Sequence, residues 1–288
     1  MKFRTEIPSP KYPFSINYDD SLLFIGSCFS DKMGAFLEEN RFNTLLNPFG
    51  TLFNPASIAT ALQFLLNPAL FNSQWIDFFN EKWISFAHHG SFSHSIRDTF
   101  IQNIENQLDK GNTFLNKANF LFITFGTAYA YRHKKSNLIV ANCHKIPAHK
   151  FNKIRLEVDE IVAQYQTLIA HLQQNNLNLT TIFTVSPVRH LGDGFHENQL
   201  SKSTLHLAID GILKSCPKTF YFPSYEILQD DLRDYRFYGQ DLCHPNEQAM
   251  NYIREIFSTA FFSSETEKKR KLIEKENKFL NHRPKTNS

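Results

Sequence analysis

Two short segments carry residue types suited to nucleophilic chemistry. Gly26-Ser27-Cys28-Phe29-Ser30 follows the apolar run Leu22 to Ile25, and Asp241-Leu242-Cys243-His244-Pro245-Asn246 lies near the end of the chain. A glycine at 26 lets the chain turn sharply. The residues after it then open a helix, where free backbone N–H groups and the helix dipole favour negative charge. A cysteine there is expected to have a lowered pKa and more thiolate; a serine there needs a base. An Asp three residues before a His can fold back to accept its Nδ1–H, fixing the tautomer and raising the basicity of Nε2. The plainer account makes Ser27 a helix N-cap, a position serine favours, and Cys28 a small buried residue. An Asp-x-x-His pattern alone also arises by chance.

Other candidates stand after other apolar runs. Asn47-Pro48-Phe49-Gly50-Thr51 is a turn-forming stretch whose Gly50 lets a backbone N–H face a ligand. Gly126-Thr127-Ala128-Tyr129 offers the Thr127 hydroxyl, either to a site or as a cap for the next element. Ser186-Pro187-Val188-Arg189-His190 offers Arg189 and His190 to an anionic or carbonyl-bearing ligand; the alternative for Arg189 is a solvated loop charge. Together these pieces have the layout of an acyl-transfer site at one edge of a doubly wound sheet.

The elements that must position them are read from periodicity. Strands are expected at Ser21–Gly26, Phe42–Leu46, Phe120–Gly126, Thr181–Ser186 and Thr219–Phe222. Helices are expected at Phe29–Asn40, Pro55–Leu66, Asp98–Lys117, Ile154–Gln174, Leu200–Ser215 and Glu247–Phe262. Such alternation predicts an α/β fold, a three-layer α/β/α sandwich with a mostly parallel sheet. Ligands of such sheets sit outside the carboxyl ends of the strands. The domain is expected over 1–262, with insertions near 72–96 and 128–150, the second with a hairpin around Arg132 to Leu138. Residues 263–288 form a Lys/Glu-rich tail, a solvated helix or disordered, in which Pro284 stops any helix.

Composition narrows the function classes. The chain has 288 residues and a formal net charge of only +3, and residues 264–288 hold eight Lys/Arg against four Asp/Glu. The body is therefore close to neutral, which argues against a nucleic-acid-binding face. No run approaches a membrane span, and Met1-Lys2-Phe3 begins no apolar leader. The four cysteines, Cys28, Cys143, Cys216 and Cys243, show no metal-finger spacing. Reduced thiols in a cytoplasm are the simplest expectation. His88, His89 and His94 lack a carboxylate at ligand spacing, so no metal site is expected. Cys143-His144 reads as structural or as part of the insertion. The Phe excess, with Trp75 and Trp83, reads as core.

Gly26-Ser27-Cys28-Phe29 resembles the motif that names the GSCFA domain family, which usually continues with Ala where this chain has Ser30. Asn47-Pro48-Phe49-Gly50, the His89 stretch, Cys143-His144-Lys145, Ser186-Pro187-Val188, Tyr221 to Glu226, and Asp234 to Tyr238 running on to Asp241 and His244 carry the resemblance over roughly residues 20 to 260. That family is grouped with the SGNH (GDSL-type) hydrolases, which implies a flavodoxin-like fold. In register, Cys28 falls where the nucleophilic serine stands and Ser27 where an aspartate stands; a one-residue shift at the turn would present Ser27 instead. Gly50 and Gly126 match the blocks that bear oxyanion donors, and Asp241 and His244 match the base and its orienter. Ala128 replaces the oxyanion asparagine, a loss that costs ~100–1,000-fold in rate unless Thr127, Asn47 or His89 substitutes.

The resemblance implies hydrolysis or transfer of an O-acyl group, with an acylated carbohydrate as substrate. Cys28 (or Ser27) attacks, His244 moves the proton, and backbone N–H groups at Cys28 and Gly50 hold the oxyanion. Arg189 binds substrate. The mechanism needs no metal or organic cofactor. One alternative is a degenerate fold that binds a glycan or acylated ligand without turnover. Another is a scaffold recruited through its basic tail.

Overall fold

Strands buried on both faces need apolar side chains at every position, and each face must find its own covering layer. The computed structural model, which describes residues 4–281, shows how the layers divide. Five parallel strands, β1 (Ser21–Gly26), β2 (Asn43–Leu46), β5 (Phe120–Phe125), β9 (Thr180–Val185) and β10 (Thr219–Tyr221), form one sheet in the order β2-β1-β5-β9-β10. Leu23, Ile25, Leu121, Ile123, Phe125, Phe183 and Val185 point to one face. There they pack on α2 (Pro55–Leu66), α3 (Arg97–Leu115), α4 (Val158–Asn175) and α5 (Phe195–Ser215). Their neighbours Leu22, Phe24, Phe120, Phe122 and Ile182 point to the other, against α1 (Cys28–Glu39) and α7 (Glu247–Phe261). This is the expected three-layer α/β/α sandwich. The excess of phenylalanine goes largely into its core, as in the stacked rings of Phe24 and Phe122 at 4.5 Å.

The expected strands and helices recur within a few residues, with one difference of type. The stretch taken as the start of a helix at Ile154 is a strand, β8 (Phe151–Arg155). It pairs with β6 (Tyr129–His133), which also pairs with β7 (Ile139–Val140) across the turn at 134–138. The helix after it begins only at Val158, where Glu157 and Glu160 form a capping box. A hairpin of β3 (Ile76–Phe79) and β4 (Lys82–Ser85) occupies the other irregular region. A short helix, α6 (Ser224–Glu226), runs on into a wider π-helical turn at Ile227–Leu232 that periodicity does not reveal.

The tail is a helix, α8 (Ser264–Asn281), laid against α1. Asn277 Nδ2 donates to the Glu39 carbonyl at 2.7 Å, and Arg270, buried beside Phe36, pairs with Glu267 and Glu274. Residues 282–288, including Pro284, lie outside the described residues, as does Met1-Lys2-Phe3. Among the described residues no helix is long and apolar enough to cross a membrane.

The order of the sheet reverses between β1 and β5, so the crevice for a ligand opens at their carboxyl ends. Gly26 closes β1 there at φ +139°, in register with Thr124. A Cβ at 26 would run into the Thr124 carbonyl. Gly26→Ala is therefore expected to destabilise the fold by at least ~2 kcal/mol, since a strained φ and a backbone clash coincide. Gly192→Ala, where a Cβ meets nothing within 4 Å, is the neutral control. Chemical denaturation midpoints of the two variants test the difference.

Candidate active site

The turn after β1 is held from three sides. Asn47 Oδ1 accepts the Gly26 N–H at 2.8 Å, and Asn47 Nδ2 donates to Asp31 Oδ1 at 2.5 Å. The Ser27 N–H reaches the Thr124 carbonyl at 3.2 Å, and the Leu52 N–H reaches the Gly26 carbonyl at 2.8 Å. Ser27 is the N-cap of α1, only 1% exposed, and its Oγ faces the Phe29 N–H at 3.4 Å. Cys28, the first residue of the helix, is half-buried. Its thiol departs from the sequence expectation. Burial pushes its pKa up, and Asp31, one turn along α1, pushes the same way. Lys32, the residue's own N–H and Lys202 pull down but do not outweigh them. Desolvation beats the helix terminus here, so the resting group is a thiol.

The second segment behaves as its spacing suggests. Asp241 Oδ1 accepts the N–H groups of His244 (3.0 Å) and Cys243 (2.9 Å), and Asp241 Oδ2 takes the His244 Nδ1–H at 2.5 Å. The His244 and Cys243 N–H groups, then the imidazole, hold the carboxyl well below the usual carboxylate range. An ionised carboxylate only accepts, so Nδ1 carries the proton of this hydrogen bond. The pair is about half-exposed. Its loop is tied to the β9 loop by the Arg189 N–H to the Cys243 carbonyl (3.1 Å) and Arg189 Nη1 to the Leu242 carbonyl (3.2 Å). Among the described residues no hydrogen bond joins Cys28 to His244. Cys28 follows the carboxyl end of β1, and the His244 loop is tied to the residues that follow the carboxyl end of β9.

The expected oxyanion donors are mostly occupied. The Gly50 N–H closes a turn onto the Asn47 carbonyl at 2.7 Å, so it is not free for a ligand. Asn47 itself is spent on Gly26 and Asp31. The N–H groups of Gly126 and Thr127 both go to the Phe53 carbonyl (2.8 and 3.0 Å). Thr127 Oγ1 meets Ser201 Oγ at 3.0 Å and accepts the Tyr129 N–H at 3.1 Å, which makes it the cap at the start of β6. Ala128 is fully buried and gives its N–H to Ser201 Oγ at 2.8 Å. His89 packs on Gly50, and its Nδ1 accepts the Ser91 N–H at 3.2 Å. His88 is buried against Phe49, its pKa pushed down by burial to about 3. Among the described residues no group of three His, Cys, Asp or Glu side chains is placed to hold a metal ion.

Two further residues complete the site. His190, expected with Arg189 to face an anionic or carbonyl-bearing ligand, projects beside Gly126, where a Cβ would lie 3.4 Å from its Nε2. That nitrogen is buried and has no partner among the described residues. Burial, then the charge of Lys202, pushes its pKa down to about 4, so the ring is neutral. Lys202, on α5, is missed by sequence reasoning. It is 1% exposed and donates from Nζ to the carbonyls of Gly126 and Ser186, each at 2.7 Å. These two carbonyls lie just beyond the ends of β5 and β9. Burial pushes the Lys202 pKa down to about 7, with the Cys28 thiol opposing the shift. Beside His190 a cleft of about 350 Å³ is lined by Phe53, Thr127, Tyr129, Asn142 and Cys143 among others.

The buried lysine has a pH signature. An unfolded lysine holds its proton up to its ordinary 10.5, whereas the folded one releases it near 7. Between those values the unfolded chain binds more protons, so stability rises with pH. The wild type is expected to gain stability relative to Lys202→Met between pH 7 and pH 10, measured by denaturation at each pH. A constant difference across that window removes the assignment.

Solved structures similar to this chain share little sequence with it. The acetyl xylan esterase Est2A from the rumen bacterium Butyrivibrio proteoclasticus is 10% identical, at a TM-score of 0.41 over 92% of this chain and 65% of that one. A carbohydrate esterase family 3 protein from Talaromyces cellulolyticus is 7% identical, at a TM-score of 0.39 over 89% and 99%. A putative GDSL-like lipase from Parabacteroides merdae is 10% identical, at 0.40 over 87% and 98%. This chain thus spans just under two thirds of the first and nearly all of the other two. No curated protein matches it. Residues 21–257, from the first strand through most of the last helix of the sandwich, match the GSCFA family, and the chain belongs to that family.

Proposed function

We propose that the protein is an acyl-ester hydrolase or acyltransferase that works through an acyl-cysteine. The observation that carries this reading is the Asp241–His244 pair, joined at 2.5 Å with its carboxylate kept ionised. It stands at the same sheet edge as a half-buried thiol at a helix N-terminus. Cys28 Sγ attacks the ester carbonyl and its proton passes to His244 Nε2. The alcohol leaves with that proton, and water or a second alcohol then releases the acyl group from sulfur. Because Cys28 rests as a thiol, His244 acts as a base in the first step rather than only as an acid in the second. The Cys28 N–H and the neutral Nε2–H of His190 are the donors assigned to the oxyanion, in place of the amide missing at Ala128. Ser27 serves as cap, and Gly50, Asn47 and Thr127 hold the loops. Arg189 and His89 flank the entrance. An acylated carbohydrate is the substrate class that the family resemblance implies, and the four unbridged thiols suit a reducing compartment such as the cytoplasm.

One observation favours a binding module without turnover: the buried Ala128 leaves no side-chain donor at its position. Turnover of p-nitrophenyl acetate and of an acetylated oligosaccharide separates the two readings. Cys28→Ala and His244→Ala are each expected to lose at least ~1,000-fold in kcat, since such groups act as a unit. Ser27→Ala should cost only about 1 kcal/mol of stability and leave turnover in place. His190→Ala should lower kcat by ~100-fold with KM nearly unchanged, partly restored by His190→Gln. An acetyl group trapped on the Cys28 peptide identifies the intermediate. A wild type no faster than His244→Ala on both esters leaves the binding module as the better reading.

A further inference from the structure

The rim of the candidate site carries a group of exposed side chains that the acyl-transfer steps do not use. Leu242, in the loop that holds His244, is 49% exposed, and Tyr235 and Phe195 are 61% and 68% exposed. At their centre lies Arg189. Its guanidinium carbon is 5.6 Å from the Phe195 ring centroid and 5.8 Å from those of Tyr235 and Tyr238. Large aromatic rings left in water beside a cleft mark a surface built to be covered.

The state of the arginine says what covers it. One of its nitrogens, Nη1, is occupied by the Leu242 carbonyl at 3.2 Å. The opposite edge, Nε with Nη2, has no hydrogen-bond partner among the described residues. No carboxylate among them lies within ion-pair distance of the group either. Asp193 and Asp241, acids of the two loops joined by Arg189, are committed elsewhere, to Lys153 and to His244. Three rings around a half-buried guanidinium displace water from it without returning hydrogen bonds. The open edge is a planar two-donor fork, whose geometric complement is a carboxylate. Flat aromatic faces beside such a fork fit the apolar face of a sugar ring.

We infer that Arg189, Tyr235, Phe195 and Tyr238 form a subsite for a carboxylate-bearing sugar, a uronate residue of the ligand whose ester reaches the Cys28–His244 site. The inference deepens the acyl-transfer reading and rests on it only for the ester, because the subsite can be occupied by a sugar that carries none. The carboxylate sits on the Nε–Nη2 edge and the pyranose ring lies against Tyr235 or Phe195. Arg189 also ties the His244 loop to the β9 loop, so a bound uronate is placed a fixed distance from the imidazole.

Calorimetric titration of the full-length protein with tetragalacturonate, cellotetraose and inorganic phosphate tests this. Tetragalacturonate is expected to bind at least about tenfold tighter than cellotetraose, as one charge-assisted pair supplies, and the margin should narrow with added salt. Arg189→Gln should abolish the margin. Tyr235→Ala should weaken both oligosaccharides and leave the preference for acid intact, which keeps the test sound if Arg189→Gln loosens the loop. Equal binding of the acidic and neutral oligosaccharides overturns the subsite. So does a preference that survives Arg189→Gln, and so does phosphate binding as tight as tetragalacturonate. Running Cys28→Ala in parallel separates the two readings. Uronate binding with no ester turnover in the wild type refutes acyl transfer alone, and turnover without uronate preference refutes the subsite alone.

Discussion

The carbonyl of Thr124 and the backbone of Gly26 lie so close that no side chain fits between them. That contact fixes the end of β1 against β5, and the rest of the site is referred to it. The Asn47 side chain then secures the turn, taking the Gly26 N–H with its oxygen and reaching Asp31 with its nitrogen. One amide thus joins β1, the loop after β2 and the first turn of α1. The position of Cys28 is consequently a property of the sheet rather than of a mobile loop. The proposed nucleophilic role needs that fixity, because an error of about an ångström in attack geometry costs orders of magnitude in rate.

The same arrangement sets the electrostatics. Asp31, which orients Asn47 and accepts from Thr51, also raises the pKa of the Cys28 thiol from one turn away. Lys202 works in the other direction from beneath the β5 and β9 loops, and its charge adds to the burial that keeps His190 neutral. Both groups are structural by their hydrogen bonds and electrical by their position. Substitution of either therefore changes two things at once.

Much of the fold was legible because buried parallel strands are written as unbroken apolar runs, and Leu22 to Ile25 and Phe120 to Phe125 are clear instances. The Asp241–His244 pair was legible for a local reason: an Asp and a His three residues apart close a turn without help from the rest of the chain. The features that escaped depend on long-range packing. Lys202 lies in a helix where a lysine reads as solvent-facing, and only the convergence of two strand ends shows that it is buried. Phe151 to Arg155 carries no strong period of its own and became a strand because β6 offered an edge. The direction of the Cys28 shift was misjudged because the helix terminus was weighed without the burial that accompanies it. The donors at Gly50, Asn47 and Thr127 are residues of the right type in the right loops, yet the loops themselves consume them.

Near the start of the chain, the Ile16 N–H donates to the Phe261 carbonyl at 2.7 Å, and Ile16 bridges Phe262 in parallel. The segment leading into β1 is thus fastened to the end of α7. During synthesis the turn that carries Cys28 emerges more than two hundred residues before α7, which fastens the Ile16 segment, and before the loop that carries His244. A nascent chain can collapse around β1, β5 and β9 early, but this fastening and the paired imidazole arrive together and late. Completion of the proposed site is therefore coupled in time to completion of the sandwich, and a prematurely terminated chain would display the Cys28 thiol without the proposed base.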